Sequence, residues 1–543
     1  MRIDVFPINS TLGDITGNQN KILDSLNISA QNQCDLLVTP ECALSGYPPE
    51  DLMLRPAFLL KIKESAAIIA EHTKTLDTAL LLGTPWHDGQ DIINAALFIH
   101  KGTVIIAAAK QILPDSGVFD DSRIFISKKL SIPIQIKDKK FGVLICEDMW
   151  HESPLQSFKQ DNIDGVISIN ASPFAKNKHK LRIKTVQKRA KEINLPFLAV
   201  FNCGAQDHLI YDGRSFACHN KGEITAHHKP FNETIFPLTF ENKCFKGNID
   251  LISYHSEELM YRAVMHGLRN YIQKNGFKKI VLGLSGGVDS VLSSAIAVDA
   301  IGAENVTAIL LPSKYTSEES FKDAYDAINA LNIEHHTISI AEGIDAASNS
   351  LAPIFEGLAP DLTEENLQSR MRGLYLMAYS NKFGHMVLTT GNKSEMAVGY
   401  ATLYGDMNGG YNALKDLYKS EVYKLCHYRN QFKPIDGLGP KGIVIPKNVI
   451  IKEPSAELRP DQKDSDSLPD YAILDDILEK LIEKEMSVSD IAKTGHDLET
   501  VKRIWHLVNI SEYKRRQSAP GAKVTSQSFD RERRYPITNR FRN

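Results

Sequence analysis

Short apolar stretches that end in polar loops recur through the first half of the chain: DLLVTPE at 35–41, TALLLGTPW at 78–86, FGVLICEDMW at 141–150, DGVISINASP at 164–173 and PFLAVFNCG at 196–204. Runs of this length, closed by polar or turn residues, predict buried strands. Between the first two, Ile22, Leu23, Leu26 and Ala30 recur at nearly 3.6-residue spacing, which predicts a helix. Strand and helix therefore alternate, the pattern of a layered α/β domain.

A polar stretch, FENKCFKGNIDLISYHSEEL, leads into a helix-like run over 257–274, after which the apolar strand KKIVLGL begins a second alternation with VTAILLP and HMVLTTG. Longer helical segments between these strands predict a doubly wound parallel sheet. The boundary is placed so that residues 1–245 form one domain and 246–543 the other. A Gly- and Pro-rich stretch, FKPIDGLGPKGIVIP at 432–446, precedes a polar, largely helical tail. Neither an internal repeat nor a low-complexity block is present.

Length and composition agree with this layout. At 543 residues and roughly 150 per domain, two to four domains are expected. A hydrophobic content of 43% excludes wholesale disorder. A net charge of -3 gives the whole chain no attraction for nucleic acid or anionic membrane. No apolar run approaches the ~18 residues of a membrane span, so the cytoplasm is the expected compartment. The seven cysteines are odd in number and never spaced C-x-x-C, which predicts reduced thiols; the histidines lack metal-ligand spacing, so no structural zinc site is expected.

Three strand ends in the first half each present one reactive group: Glu41, Lys110 and Cys146. Hydrolysis of an amide needs a strong nucleophile, a base to ionise it, and a cation or donors for the oxyanion. Taken singly, a strand-end Cys is often an inert buried thiol, and a Glu or Lys in such a place is often solvated. The surrounding sequences, PECALSGYPPEDL, KQILPDSGVFDDSRIF and ICEDMW, occur in the order of the nitrilase superfamily, and this half resembles its glutamine amidohydrolases. The resemblance implies a nitrilase-like α/β sandwich with Glu41 as general base, Lys110 stabilising the tetrahedral intermediate and Cys146 acylated. It also implies Ser116, Ser172 and Lys178 near the glutamine. One departure stands out: such amidases tend to read LPNYGVFDE where this chain has LPDSGVFDD, so Asp115, Ser116 and Asp121 replace Asn, Tyr and Glu.

In the second half, SGGVDS follows a predicted strand and opens a helix whose apolar face is Val288, Val291, Leu292, Ala295 and Ile296. Glycines let the backbone close on phosphate oxygens, while the helix start offers free N–H groups and a positive dipole end. The run lacks the lysine of the G-x-x-x-x-G-K-[ST] loop. It resembles the pyrophosphate loop of the ATP pyrophosphatases, which adenylate a carboxyl or carbonyl carbon. Further stretches, ENLQSRMRGLYLMAYSNK, VLTTGNKSEMAVGYATLYGDM, DLYKSEVYKL, PSAELRPDQKDSDSLPDY and EYKRRQSAPG, resemble NAD synthetases, so the chain as a whole resembles the bacterial glutamine-dependent NAD+ synthetase family.

That resemblance implies an adenine nucleotide alpha hydrolase-like fold for the second domain. ATP is then expected at Gly283, Leu284, Ser285, Gly286, Gly287, Val288, Asp289, Ser290, Thr390, Lys419 and Ser455. Deamido-NAD is expected at Asn366, Arg370, Glu395 and Lys514. Mg2+ is expected at Asp289 and Glu395, as a hard cation that takes carboxylates, waters and phosphates. A homo-oligomer and an enclosed ammonia route are also implied.

Two rivals are weighed. An amidotransferase acting on another carboxylate would share the loop, but GNKSE and PSAEL point to one substrate class. A nucleic-acid-binding protein would use the basic C-terminus. There the last 33 residues hold nine Lys or Arg against three acids, a local charge of +6 that leaves the remainder at -9. The intact triad and loop weigh against that reading, so no nucleic acid or membrane partner is expected. The tail is expected to fold over the synthetase site and lend its cations to the dinucleotide.

Overall fold

The computed structural model describes all residues except 160, 251–253, 461, 542 and 543. Asp461 of the PSAEL stretch, Arg542 of the basic tail and residues 251–253 of the linking stretch thus lie outside the described residues. The chain divides into two compact units, Met1–Tyr254 and His255–Asn543. The strand Cys244–Gly247 pairs with Phe236–Glu241, so the first unit runs past residue 245.

The first unit holds sheets of seven, six and two strands and is built on the two larger ones. In the first, Arg2–Val5, Leu36–Val38 and Ala79–His87 run parallel, with Ile3, Leu36 and Ala79 side by side. The antiparallel strands Ile92–His100 and Thr103–Ala109 extend it at one edge. In the second sheet, Lys139–Ile145, Gly165–Asn170 and Phe197–Phe201 form the parallel centre. One continuous core takes Ile3, Val5, Leu36 and Val38 from the first sheet and Val143, Ile145, Ile167 and Leu198 from the second, so the sheets pack face to face. Helices Ile15–Gln31 and Pro56–Thr73 cover the outer face of one sheet, and Lys178–Ile193 that of the other. The result is a four-layer α/β sandwich.

The expected strands fall where the apolar runs lie. The hairpins after residue 202 escaped the sequence pattern because their strands are three to six residues long and mix polar with apolar positions.

The second unit holds five parallel strands in the order Glu334–Thr337, Val306–Leu310, Ile280–Gly283, Met386–Thr389, Tyr411–Asn412. The chain order reverses at Ile280–Gly283, whose neighbours on its two sides are the next strand in sequence and one reached only after residue 385. Crevices in doubly wound sheets open at such a reversal, beyond the carboxyl ends of the strands. Glu334–Thr337 was not foreseen, because its residues, EHHT, are all exposed at the sheet edge. A separate helical core gathers Leu474, Ile477, Leu478, Val501, Ile504, Val508 and Phe529.

Candidate active sites in two units

Glu41 follows the strand Leu36–Val38, Lys110 follows Thr103–Ala109, and Cys146 follows Lys139–Ile145. All three are removed from solvent, at 0, 1 and 2 % exposure. Backbone packing at the base is close: a Cβ at Gly83 would lie 2.1 Å from the Pro40 carbonyl oxygen, so this strand tolerates no side chain beside Glu41. Lys110 Nζ donates to Glu41 Oε1 at 2.8 Å and to Asp121 Oδ2 at 2.6 Å. Glu41 Oε2 accepts the Ala171 backbone N–H at 2.8 Å. Burial works against the Lys110 ammonium, but the Glu41 and Asp121 carboxylates outweigh it and raise its pKa.

Cys146 has a left-handed backbone, with φ 48°, at the point where its strand turns into the 3-10 helix Cys146–Trp150. Asp148 holds that turn. Its Oδ1 accepts the backbone N–H groups of Gln111 at 3.0 Å and Ile112 at 2.8 Å, and its Oδ2 that of Ile145 at 3.3 Å. One carboxylate thereby ties the segment after Lys110 to the segment before Cys146. Burial pushes the Asp148 carboxyl up to about 7. Burial, followed by the Glu41 charge, also pushes the Cys146 thiol well above the ordinary range against the pull of Lys110. The resting Cys146 side chain is therefore the neutral thiol, and a neutral thiol needs a base before it can act as a nucleophile.

Asp121, noted in the sequence only as a departure, is an integral part of this cluster: it pairs with Lys110 and accepts the Tyr47 hydroxyl at 2.9 Å. Ser172 is buried, its carbonyl and hydroxyl both engaged by Arg182 Nη2. Lys178 opens its helix with the ammonium 5.0 Å above the Trp150 ring. Ser116 is exposed in the segment between Lys110 and Asp121. Ala171 and Asn94, which reach Glu41, and Arg182, which holds Ser172, were not singled out in the sequence, since only the fold brings them there.

In the second unit a cavity of about 600 Å³ opens at the sheet reversal, within the range of small-molecule sites. Every residue from Gly283 to Ser290 lines it, as do Asn366, Thr390, Glu395, Lys419, Ser455 and Lys514. Gly286 has φ 83°, and a Cβ there would meet the Ser320 carbonyl oxygen at 2.3 Å, so only glycine fits. The Ser285 hydroxyl accepts the Gly287 N–H at 3.2 Å and pairs with the Ser290 hydroxyl at 3.1 Å, which closes the loop at the start of helix Val288–Ile301. The N–H groups at the start of this helix and its dipole favour negative charge here.

Asp289 pairs with the Lys419 ammonium and accepts Asn392 Nδ2 at 2.9 Å. Lys419 also reaches Glu395 Oε1 at 3.2 Å. Burial opposes the Lys419 charge, yet the two carboxylates raise its pKa; burial pushes Glu395 up to about 8. Asp464, which the sequence reading passed over inside PSAELRPDQKDSD, lines the same cavity and accepts the Tyr471 hydroxyl at 2.8 Å.

Arg370 is not among the lining residues; its Nε donates to the Leu403 carbonyl at 3.2 Å. Arg372 lines the cavity instead, with Nε on the Leu311 carbonyl at 3.0 Å. At about 100° per residue, the helical face that carries Leu362, Glu365, Ser369, Arg372, Gly373 and Leu376 leaves position 370 on its flank.

The tail's cations are used differently from the expectation. Arg515 and Arg533 both pair with Glu512 at 2.8 Å, and Lys523 pairs with Glu532 at 3.2 Å. Of the described tail cations only Lys514 lines the cavity, its Nζ on the carbonyls of Gly399 at 2.8 Å and Ala401 at 2.7 Å. Buried guanidinium and ammonium groups require partners at hand, and the tail's own acids and nearby carbonyls supply them.

Comparisons with known proteins agree with this two-part organisation. Residues 5–238 match the carbon-nitrogen hydrolase family and residues 260–518 the NAD synthase family. The glutamine-dependent NAD(+) synthetase of Rhodobacter capsulatus is 42% identical over 546 residues, covering 100% of this chain and 99% of that protein. Its counterpart in Thermotoga maritima is 39% identical, with 100% and 99% covered. Among solved structures, the glutamine-dependent NAD+ synthetase of Acinetobacter baumannii in complex with adenosine diphosphate is 37% identical, covers 99% of this chain and 98% of its own, and superposes with a TM-score of 0.80. With its buried Glu-Lys-Cys cluster in one unit and its phosphate-loop cavity in the other, the chain belongs to the glutamine-dependent NAD(+) synthetase family.

Proposed function

We propose that the chain converts deamido-NAD, ATP and glutamine to NAD, AMP, diphosphate and glutamate, with Glu41, Lys110 and Cys146 releasing ammonia and the cavity of the second unit activating the nicotinate carboxylate. The observation that carries this reading is the co-occurrence in one chain of a buried thiol beside a carboxylate–lysine pair and a glycine-closed anion loop lining a nucleotide-sized cavity. Glu41 takes the Cys146 proton, sulfur attacks the glutamine amide carbon, and the Lys110 ammonium stabilises the oxyanion. Ammonia departs with the proton, and water then cleaves the glutamyl thioester. Ser116, Ser172 and Lys178 are assigned to the glutamine.

In the second unit the carboxylate must become a leaving group before ammonia can attack. Transfer of the adenylyl group supplies it, with diphosphate held on the loop from Gly283 to Ser290. We assign Thr390, Lys419 and Ser455 to ATP, and Asn366, Glu395 and Lys514 to deamido-NAD, with Arg370 serving the same dinucleotide only from the flank of the cavity. Among the described residues no three His, Cys, Asp or Glu side chains are grouped to hold a metal ion. The donor set nevertheless fits Mg2+, which binds through one or two carboxylates plus substrate phosphates and waters; Asp289 and Glu395, joined through Lys419, offer those oxygens. When bound, Mg2+ would neutralise triphosphate charge.

A homo-oligomer is supported by helix Leu362–Phe383 and the turn before it, where Ile354, Leu358, Leu362, Leu374 and Phe383 are exposed. The seven cysteines form no disulfide among the described residues, which fits a reducing compartment, here the cytoplasm; no helix among the described residues is long and apolar enough to cross a membrane. Assaying NAD and AMP with glutamine or ammonium tests the proposal. Cys146→Ala should abolish the glutamine-dependent reaction and retain the ammonium-dependent one, whereas Asp289→Asn should abolish both and leave glutamate release. Loss of ammonium-dependent synthesis in a folded Cys146→Ala variant would overturn it.

A further inference from the structure

Asn94, in the strand Ile92–His100 and 1 % exposed, touches two members of the hydrolase cluster at once. Its Nδ2 donates to Glu41 Oε1 at 2.7 Å, and its backbone carbonyl accepts the Lys110 backbone N–H at 2.8 Å. The orientation of the amide follows from its neighbours. An ionised carboxylate only accepts, so Nδ2 must face Glu41; Oδ1 then faces the Cys42 thiol, which donates to it at 3.7 Å. The strand thus fixes a neutral donor beside the base while its backbone fixes the lysine.

Counting the lone pairs of Glu41 shows what this does. Each carboxylate oxygen offers two acceptor positions. Oε1 receives Lys110 Nζ at 2.8 Å and Asn94 Nδ2 at 2.7 Å, which fills both. Oε2 receives the Ala171 N–H at 2.8 Å, which leaves one.

We propose that Asn94 is a positioning residue for glutamine hydrolysis: together with Lys110 it saturates Glu41 Oε1 and leaves the free lone pair of Oε2 as the acceptor of the Cys146 proton. In that step the Sγ–H bond breaks, an Oε2–H bond forms, and the electron pair left on sulfur makes the bond to the amide carbon. The same proton later leaves with ammonia. The inference rests on the proposed glutaminase reading of this unit.

The other titratable groups around Glu41 come from several elements: Lys110 and Asp121, which pair with each other, Cys42 next in sequence, Cys146 on its turn, and the hydroxyls of Tyr47 and Tyr211. All of these remain when Asn94 is replaced, so a change in pH dependence reports the amide.

The test is glutamate release from glutamine by the full chain, as a function of pH, for wild type, Asn94→Leu and Asn94→Ser. Leucine keeps the volume without a donor. Serine adds no atoms and serves if leucine does not fold, as judged by the melting transition of the hydrolase unit. A hydrogen bond to a charged carboxylate favours the ionised form, so its loss should move the acid limb of kcat/KM up by about one pH unit. We expect kcat to fall on the order of tenfold or more with KM for glutamine nearly constant, since the amide touches the base and not the substrate. A folded variant whose acid limb stays in place, or whose KM rises at constant kcat, overturns the inference. If instead wild type releases no glutamate, or Cys146→Ala releases as much as wild type, the glutaminase reading itself fails.

Discussion

The Lys419 ammonium pairs with Asp289 of the loop from Gly283 to Ser290 and with Glu395 of helix Lys393–Val398, so one side chain joins the two carboxylates that the sequence suggested for the same Mg2+. It is nearly buried and faces the cavity. Removing it would leave two carboxylates side by side with no cation and would take a positive charge from the cavity to which the proposed reaction assigns its triphosphate. Lys419→Met should therefore abolish AMP and diphosphate formation with either nitrogen source, while glutamate release from glutamine continues. Wild-type AMP formation in this variant would remove Lys419 from the nucleotide site.

Gly286 offers a sharper test of the loop. Alanine there would carry a positive φ and drive a methyl into the Ser320 carbonyl. Gly286→Ala should raise the KM for ATP at least tenfold or remove activity, whereas Gly276→Ala, also at positive φ but with open space around its Cβ, should not. Equal effects of the two would show that backbone strain, and not closure on a phosphate, explains the first.

Lys393 tests what the C-terminal segment does. Its buried ammonium meets Asp416 at 2.9 Å, Glu483 at 3.2 Å, the Thr525 hydroxyl at 2.7 Å and the Gln527 carbonyl at 2.8 Å, and it sits one residue before Ser394 and two before Glu395. Breaking such a buried set costs about 3–5 kcal/mol. Lys393→Met, or removal of residues 522–543, should lower the melting transition of the second unit and leave that of the first in place in calorimetry. Because the tail's buried cations are matched by Glu512 and Glu532, the truncation should not change retention on nucleic acid at low salt. A salt-sensitive loss of such binding would restore the basic-arm reading.

Asp148 carries a pH prediction. Its carboxyl titrates near 7 in the fold, against 3.8 when solvated, because burial outweighs its backbone donors. The folded chain therefore holds a proton that the unfolded chain has released, and this contribution to stability is present at low pH and lost as pH rises from about 4 to about 7. Asp148→Asn has no such proton to lose. The melting temperature of wild type relative to Asp148→Asn should be higher at pH 5 than at pH 8. A difference that is flat, or that runs the other way, would show that Asp148 is ionised throughout.

Much of the chemistry was legible before any fold was known, for reasons that are local. Buried strands show as short apolar runs closed by polar residues and amphipathic helices repeat at a period of about 3.6, so the strand ends carrying Glu41, Lys110 and Cys146 and the glycine loop before helix Val288–Ile301 could be placed from neighbours a few residues away. Short strands such as Glu334–Thr337 and Cys203–Gln206 could not, because they contain too few residues to show a period.

What the tertiary structure decided are pairings across long separations. Asn94 and Ala171 reach Glu41 from 53 and 130 residues away, and no local signal marks either. That Arg372 lines the cavity while Arg370 does not follows from which face of a 22-residue helix meets the sheet, a rotation that a lightly buried helix does not encode in its hydrophobic pattern. Likewise, the +6 tail suggested free charge, but a formal charge count cannot show which cations already have a carboxylate within 3 Å; Glu512, holding both Arg515 and Arg533, shows it for two of them. Sequence by itself determined the kinds of reacting groups and the two-part layout. Which groups stand beside one another was settled only when buried charges found partners and strands from distant parts of the chain came into register.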